Sequence, residues 1–404
     1  MIVPISKPES IMRKMVCVLI LLSFFVSPLF AQWESEKRLI FKHGASYYTT
    51  QNYARCVAAG SHHDVHVVCI GDGIYYKRST DSGLSWYPVV HLTSPQSGVG
   101  WPSICVSGSV VHLVWVDARY GRNEEIYYKR STDSGATWSQ DTRLTKDTSV
   151  SQTPSLCASG KIVHLVWEEN RDHSYWVFYK RSTNNGASWS SEVRLTNVPA
   201  CLWNTSIAAS GAGVHIVWYD MRNKNAEIYY KHSTDRGVTW SPDIRLTADS
   251  AYSWSPCVAS EGSDVHVVWM DNRCKSADGF DNNHEIFYKH SEDGGITWSP
   301  DTRLTVKNSR FPWSRPYGWS QSPSLAVSGE YIHLIWTEDQ VFYKLSTNAG
   351  KTWCNDWKIV DGRRPHDCSI AVSGTVLHAV WWDNLVDDAR IYYIRNPDGN
   401  VKVR

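Results

Sequence analysis

Apolar residues in this sequence come in short runs rich in β-branched and aromatic side chains, each closed by Gly, Asp, Asn or Ser. That is the pattern of strands and tight turns. No stretch beyond residue 31 holds a helical period. The runs recur in a fixed order. A small-residue run ending in Ser-Gly (strand A) is followed by a Val-His-Leu-Val-Trp run (strand B), an Ile-Tyr-Tyr-Lys-Arg run (strand C) and a Thr-Arg-Leu-Thr run (strand D). The fullest copy occupies Val111 to Arg119, Glu125 to Trp138 and Thr142 to Thr145.

The tryptophan that follows strand C stands at 86, 138, 189, 240, 298 and 353, so by subtraction the copies are 52, 51, 51, 58 and 55 residues apart. A period near fifty with four strands per unit fits propeller blades better than a β-helix. The strand-B histidine appears seven times, at 66, 112, 164, 215, 266, 333 and 378, which favours seven blades over six. The last unit has no strand D of its own. Trp33 to Ile40 resembles Trp138 to Thr145, so the N-terminal segment is expected to supply that strand and close the ring. The fold class is therefore all-β: a seven-bladed β-propeller of four-stranded blades forming one domain, residues 32–404.

Residues 1–31 read as a signal peptide. Arg13 and Lys14 precede an apolar run from Val16 to Phe30, Ala31 is a plausible cleavage residue, and Met12 is a candidate start. Secretion to a periplasmic or extracellular space is the expectation. Lys and Arg number 41 against 40 Asp and Glu, so charge gives no case for nucleic acid or an anionic membrane as partner, and no later run is long enough for membrane insertion. Of ten cysteines, Cys17 leaves with the signal. Cys105 and Cys157 take a repeat position that is Ala208, Ala326 and Ala371 elsewhere, which marks small buried thiols better than a disulfide framework.

Ser131-Thr-Asp-Ser-Gly-Ala-Thr-Trp138 has the form of an Asp-box, with copies at 79–86, 182–189, 233–240, 291–298 and 346–353. Asp or Asn caps the turn, Gly takes a backbone shape a Cβ would hinder, and Trp packs beneath. On these six copies the chain from Trp33 to Arg404 resembles the Asp-box (BNR-repeat) propellers of the sialidase superfamily. The boxes are C–D turns. Ligand sites are therefore expected on the opposite rim, made of B–C and D–A loops, where the resemblance also puts them.

That rim repeats two features. The B–C loops of blades two to five open with an acid-x-Arg pair: Asp117/Arg119, Glu169/Arg171, Asp220/Arg222 and Asp271/Arg273. The D–A loops carry rings, among them Trp101, Trp203, Tyr252, Trp254, Phe311, Trp313, Tyr317 and Trp319. The acid-x-Arg pairs fit two roles: ion pairs that brace the blades, or an arginine cluster for a carboxylate ligand. The rings fit loop packing or stacking on sugar faces. The resemblance implies an arginine triad, one member in an Asp-x-Arg loop as Arg119, Arg171, Arg222 or Arg273 are, and a tyrosine nucleophile, for which Tyr317 is the candidate. Asp172, Asp278 and Asp281 are the acid/base candidates. The family's Phe/Tyr-Arg-Ile-Pro segment reads Tyr53-Ala-Arg-Cys56 here, which departs from it.

The strand-B histidines lie on separate blades, so hydrogen bonding suits them better than one metal. Residues 278–285 lack regular calcium-loop spacing. No cofactor is expected. Three functions remain open: a propeller that binds glycan or a cell-surface glycoprotein, acidic or neutral; an exo-glycosidase of sialidase type with a diverged site; and a surface scaffold.

Overall fold

The computed structural model describes residues 33–40, 55–94, 98–119, 121, 123–146, 148–198, 202–274, 284–306, 321–360, 365–383 and 390–399. Seven antiparallel four-stranded sheets stand in a ring, and no helix occurs among the described residues. In blade 2 the order is Val99–Ser107, Val110–Asp117, Glu125–Ser131 and Thr142–Arg143, from the axis outward. The other blades repeat it. Blade 7 takes strands A to C from Pro365–Ser373, Val376–Asp383 and Arg390–Asn396, and its outer strand from Lys37–Ile40. Lys37 pairs with Tyr393 and Arg38 with Tyr392. The chain thus closes as a seven-bladed β-propeller through its N-terminal strand.

Each of seven apolar clusters fills the space between two neighbouring blades. Six of them hold a fully buried strand-B tryptophan, Trp115, Trp167, Trp218, Trp269, Trp336 or Trp381, and the seventh has Cys69 at that position. The alternation of strand residues sends one face toward each neighbour, and both faces are covered. Strand B therefore reads as a continuous apolar run in the sequence.

The strand-B histidine fills the polar gap in this core. In all seven blades its Nδ1 lies 2.7–2.8 Å from the hydroxyl of a strand-C tyrosine. Burial drives the pKa of His66, His112 and His164 down to about 4, and that of His215, His266 and His378 to about 3. These imidazoles are neutral at physiological pH.

The Asp-boxes lock neighbouring blades together. Ser131 Oγ donates to Asp133 and accepts from Gly135 N at 2.8 Å, while Thr137 donates to Asp133 through both N and Oγ1. The Thr137 hydroxyl first, with the other donors, lowers the Asp133 pKa to about 2. Gly135 has φ 77°, and a Cβ there would sit 1.7 Å from the Tyr76 hydroxyl of the preceding blade. Trp138 meets the same Tyr76 edge-on at 4.9 Å. The eight described cysteines are free thiols. Cys201 lies outside the described residues, as does the proposed signal segment.

Candidate functional site

The B–C loops place their arginines first. Arg119 Nε and Nη2 donate to Asp117, Nη1 donates to Asp141 at 2.8 Å, and the guanidinium covers the Tyr127 ring at 4.4 Å. Arg222 repeats this with Asp220, Asp243 and Tyr229. Arg171 uses Glu169, Glu192 and Phe178. Arg273 uses Asp271, Asp301 and Phe287, with Asp249 a third carboxylate at 2.8 Å. Each side chain runs outward over strand C to the start of strand D, away from the axis.

The second acid is shared. Asp141 also takes Lys129 Nζ at 2.9 Å, and Lys129 donates to the Leu92 carbonyl of blade 1. The same chain joins Arg273, Asp301, Lys289 and the Leu246 carbonyl. In blade 6, which lacks the arginine, Lys344 still links Asp356 to the Leu304 carbonyl. The pairs therefore tie strands B, C and D of one blade and, in blades 2, 3 and 5, reach the preceding blade through lysine.

Nearer the axis, strand A enters the ring through a bulge. The register with strand B slips between Gly100/Ser103, Gln152/Ser155, Trp203/Ser206, Trp254/Cys257, Gln321/Ser324 and His366/Ser369. Inside each slip one non-glycine residue has positive φ: Trp101, Thr153, Asn204, Ser255, Ser322 and Asp367, at 46°, 50°, 59°, 56°, 54° and 39°. Proline follows four of them, removing a donor where the ladder is already broken. These residues form a ring around the axial mouth. Neighbours touch: Ser322 Oγ donates to Asp367 at 3.0 Å, and Thr205 Oγ1 to the Thr153 carbonyl at 3.3 Å. Below them, Ser103, Ser206, Ser324 and Ser369 each accept a backbone N–H from the next blade at 3.2 Å.

Two acids at this mouth were not singled out by their sequence context. Glu168 is fully buried and accepts from Thr205 N at 3.0 Å. Burial pushes its pKa up to about 8. Its signal is the repeat itself, since the same strand-B position holds Val116, Tyr219, Met270 and Trp382 in other blades. Asp367 accepts from Trp382 Nε1 and Ser322, and burial raises its pKa.

Rings gather on the same rim. Trp254 stands edge-on to His284 at 4.6 Å and 6.2 Å from Tyr252, whose side chain is 44% exposed. His366 stacks on Trp382 at 4.3 Å. Asp172 is at the exposed tip of the blade 3 B–C hairpin, where it and His173 have φ 53° and 61°. The Trp203 side chain, Phe311, Trp313, Tyr317, Trp319, Asp278 and Asp281 lie outside the described residues, and among the described ones no group of acids, histidines and cysteines is placed to hold a metal. No described helix is long and apolar enough to cross a membrane.

This architecture is that of a seven-bladed β-propeller. Residues 73–260 match the model of the BNR repeat-like domain. No curated protein matches the sequence. Among solved structures, the polysaccharide lyase Uly1 superposes with TM-score 0.60 at 12% identity, over 91% of this chain and all of that one. A PL25 ulvan lyase bound to -[GlcA(1-4)Rha3S]- gives 0.60 at 10% identity, over 88% of this chain and 95% of that one. The Trypanosoma rangeli sialidase gives 0.49 at 13% identity, over 88% of this chain and 60% of that one.

Proposed function

We propose that this chain is an exported propeller that binds acidic polysaccharide or glycoprotein glycans on the rim opposite its Asp-boxes. The observation that carries this reading is the set of partly exposed rings on that rim, Tyr252 and Trp254 on blade 5, the latter packed on buried His284, and His366 on blade 7, stacked on buried Trp382. Flat rings of this kind stack on sugar faces and leave hydroxyls to water. Two solved structures of the same fold are polysaccharide lyases, one holding a glucuronate-containing, sulfated chain, which supports an acidic glycan as the class. Trp203, Trp313 and Trp319 belong to the same proposed platform. Arg119, Arg171, Arg222 and Arg273 support it by fixing the B–C loops, because each already holds two carboxylates.

A second reading, cleavage of the bound glycan, draws on Glu168 and Asp367, carboxyls whose burial favours the protonated form that a general acid needs. Asp172, Asp278, Asp281 and Tyr317 remain its other candidates. Binding is tested on an array of acidic and neutral glycans with the mature chain. Tyr252→Ala and Trp254→Ala should each weaken binding at least tenfold while the protein stays folded. Absence of binding to every glycan, or binding indifferent to both substitutions, overturns the proposal. Release of reducing ends from acidic polysaccharides, or of a fluorogenic sialoside's label, separates enzyme from lectin.

A further inference from the structure

Blade 1 has lost the ion chain that its neighbours keep on their outer strands. In blades 2 to 6 a strand-C lysine holds a strand-D acid, Asp141, Glu192, Asp243, Asp301 or Asp356, at 2.6–3.9 Å. Tyr76 pairs with Val90 as Tyr128 pairs with Thr142, so Val89 stands in blade 1 where Asp141 stands in blade 2. Gly71 takes the place of Asp117 after the strand-B histidine. Lys77 is what remains of the chain. It is half-buried, its Nζ donates to the Leu39 carbonyl at 3.0 Å, and among the described residues no carboxylate meets it. Burial lowers its pKa. A half-buried cation with a single acceptor costs stability until an anion reaches it.

The surface beside Lys77 changes character as well. Leu84, Tyr87, Val89 and Val90 are 44–58% exposed. They are four of the eleven well-exposed large apolar side chains among the described residues, and they fall within seven consecutive positions, so they form a patch and not a scatter. The other outer strands carry a cation opposite the strand-C ring, namely Arg143, Arg194, Arg245, Arg303 or Lys358, and blade 1 has His91 there. Charge of that kind keeps an edge strand from pairing with another chain. Leu92 N donates inward to the Ile74 carbonyl, so the antiparallel alternation turns the N–H and carbonyl of Val89 and His91 outward.

We infer that the outer edge of blade 1 is a docking site for an extended polypeptide segment, which adds a fifth strand along Tyr87 to His91 and brings an acidic side chain to Lys77. The outward backbone groups supply the rungs, Tyr87 and Val90 meet apolar side chains of the segment, and Lys77 selects the acid. A second copy of this chain fits less well. Two such edges paired about a two-fold axis would set Tyr-Pro-Val-Val-His on itself, and that stretch holds no carboxylate for either lysine. The site lies on the perimeter, away from the rim proposed for glycans, and does not depend on it.

Fluorescence anisotropy tests this with two labelled peptides of alternating valine and threonine, one with glutamate at its centre and one with lysine. The glutamate peptide should bind with saturation and the lysine peptide at least tenfold more weakly, the gap closing as salt is added. Val89→Asp restores the acid of the repeat, so it should weaken the glutamate peptide at least tenfold and melt no lower than wild type. Lys77→Met should bind the two peptides equally. The bound glutamate peptide should slow amide exchange at Val89 and His91. Glycan binding should be the same in Val89→Asp and wild type. No binding of either peptide, equal binding of both by wild type, undiminished binding by Val89→Asp, or a lower melting temperature for that variant overturns the inference. So does a wild-type dimer in sedimentation that Val89→Asp dissolves, which would assign the edge to a second copy.

Discussion

Trp33 stands edge-on to Tyr343, their ring centroids 5.3 Å apart at 79°. In the other six blades an Asp-box tryptophan takes this place against the tyrosine of the preceding blade, as Trp86 does on Tyr393 at 4.8 Å. Blade 7 has no box, so the N-terminal segment brings both the strand and the missing ring. Glu34 N donates to the Arg395 carbonyl at 2.9 Å, and Lys37 Nζ reaches the Gly83 and Leu84 carbonyls of blade 1. Removing residues 33–40 should expose the strand-C edge of blade 7 and produce aggregation and a much lower melting temperature. Trp33→Ala alone should cost about 2–3 kcal/mol, less than a fully buried tryptophan because the side chain is partly exposed. Denaturant melts of both variants check this.

Two glycines with similar backbones should respond differently to alanine. Gly160, at φ 57°, has nothing near a new Cβ, whereas Gly135 has the Tyr76 ring against it. Gly160→Ala should cost about 1 kcal/mol from its left-handed backbone. Gly135→Ala should cost at least twice as much, and Tyr76→Phe should recover part of the difference. Equal losses at the two positions would show that Tyr76 yields easily.

Acid should unfold the ring through its histidines. Six have folded pKa values of about 3 or 4 against 6.5 for the free side chain. Below pH 6.5 the unfolded chain takes up protons that the folded chain refuses, so stability falls as pH falls, by up to about 1.4 kcal/mol per pH unit for each histidine. The fall should steepen from pH 6.5 to 4 and should flatten for the His112→Gln variant by one proton. Urea melts across that range measure the slope.

Glu168 runs the other way. Its folded pKa of about 8 exceeds the ordinary 4.5, so the folded chain holds a proton that the unfolded one loses. Stability from this group is complete below pH 4.5 and declines as pH rises to 8. Glu168→Gln should therefore gain on wild type as pH rises, and the gain should level off above pH 8.

Arg222 is 13% exposed and its partner Asp220 is buried completely. Arg222→Ala leaves that carboxylate without its guanidinium, which should cost about 3 kcal/mol. Glycan binding should be unchanged once the protein is folded. A normal melting temperature with lost binding to acidic sugars would instead assign Arg222 to the ligand.

The blades were legible because each repeats the same physical solution. A histidine needs a tyrosine, a box glycine needs room for the next tyrosine, and a tryptophan must cover it, so the spacing survives in sequence. Even the outer strand of the seventh blade was visible, in the likeness of Trp33–Ile40 to Trp138–Thr145. The rim was less legible for a related reason. Asp117 and Arg119 are two residues apart in sequence, but the second carboxylate on Arg119, Asp141, is twenty-two residues beyond it, and only folding shows that the guanidinium is already engaged on both. Glu168 is the opposite case. It departs from its repeat at one position, and the departure has meaning only when the register shows which residue it replaces.

The strand exchange in blade 7 divides the ring into unequal joints. Six blades are each made of consecutive strands, and the seventh contains a non-covalent seam, the pairing of Lys37–Ile40 with Arg390–Asn396. The strands there are antiparallel, so opposed pulls on the two chain ends load them from one end. Their backbone bonds then break in succession. The torus would come undone at that clasp with every other sheet intact, becoming an open crescent whose two end faces are the halves of the core between blades 7 and 1.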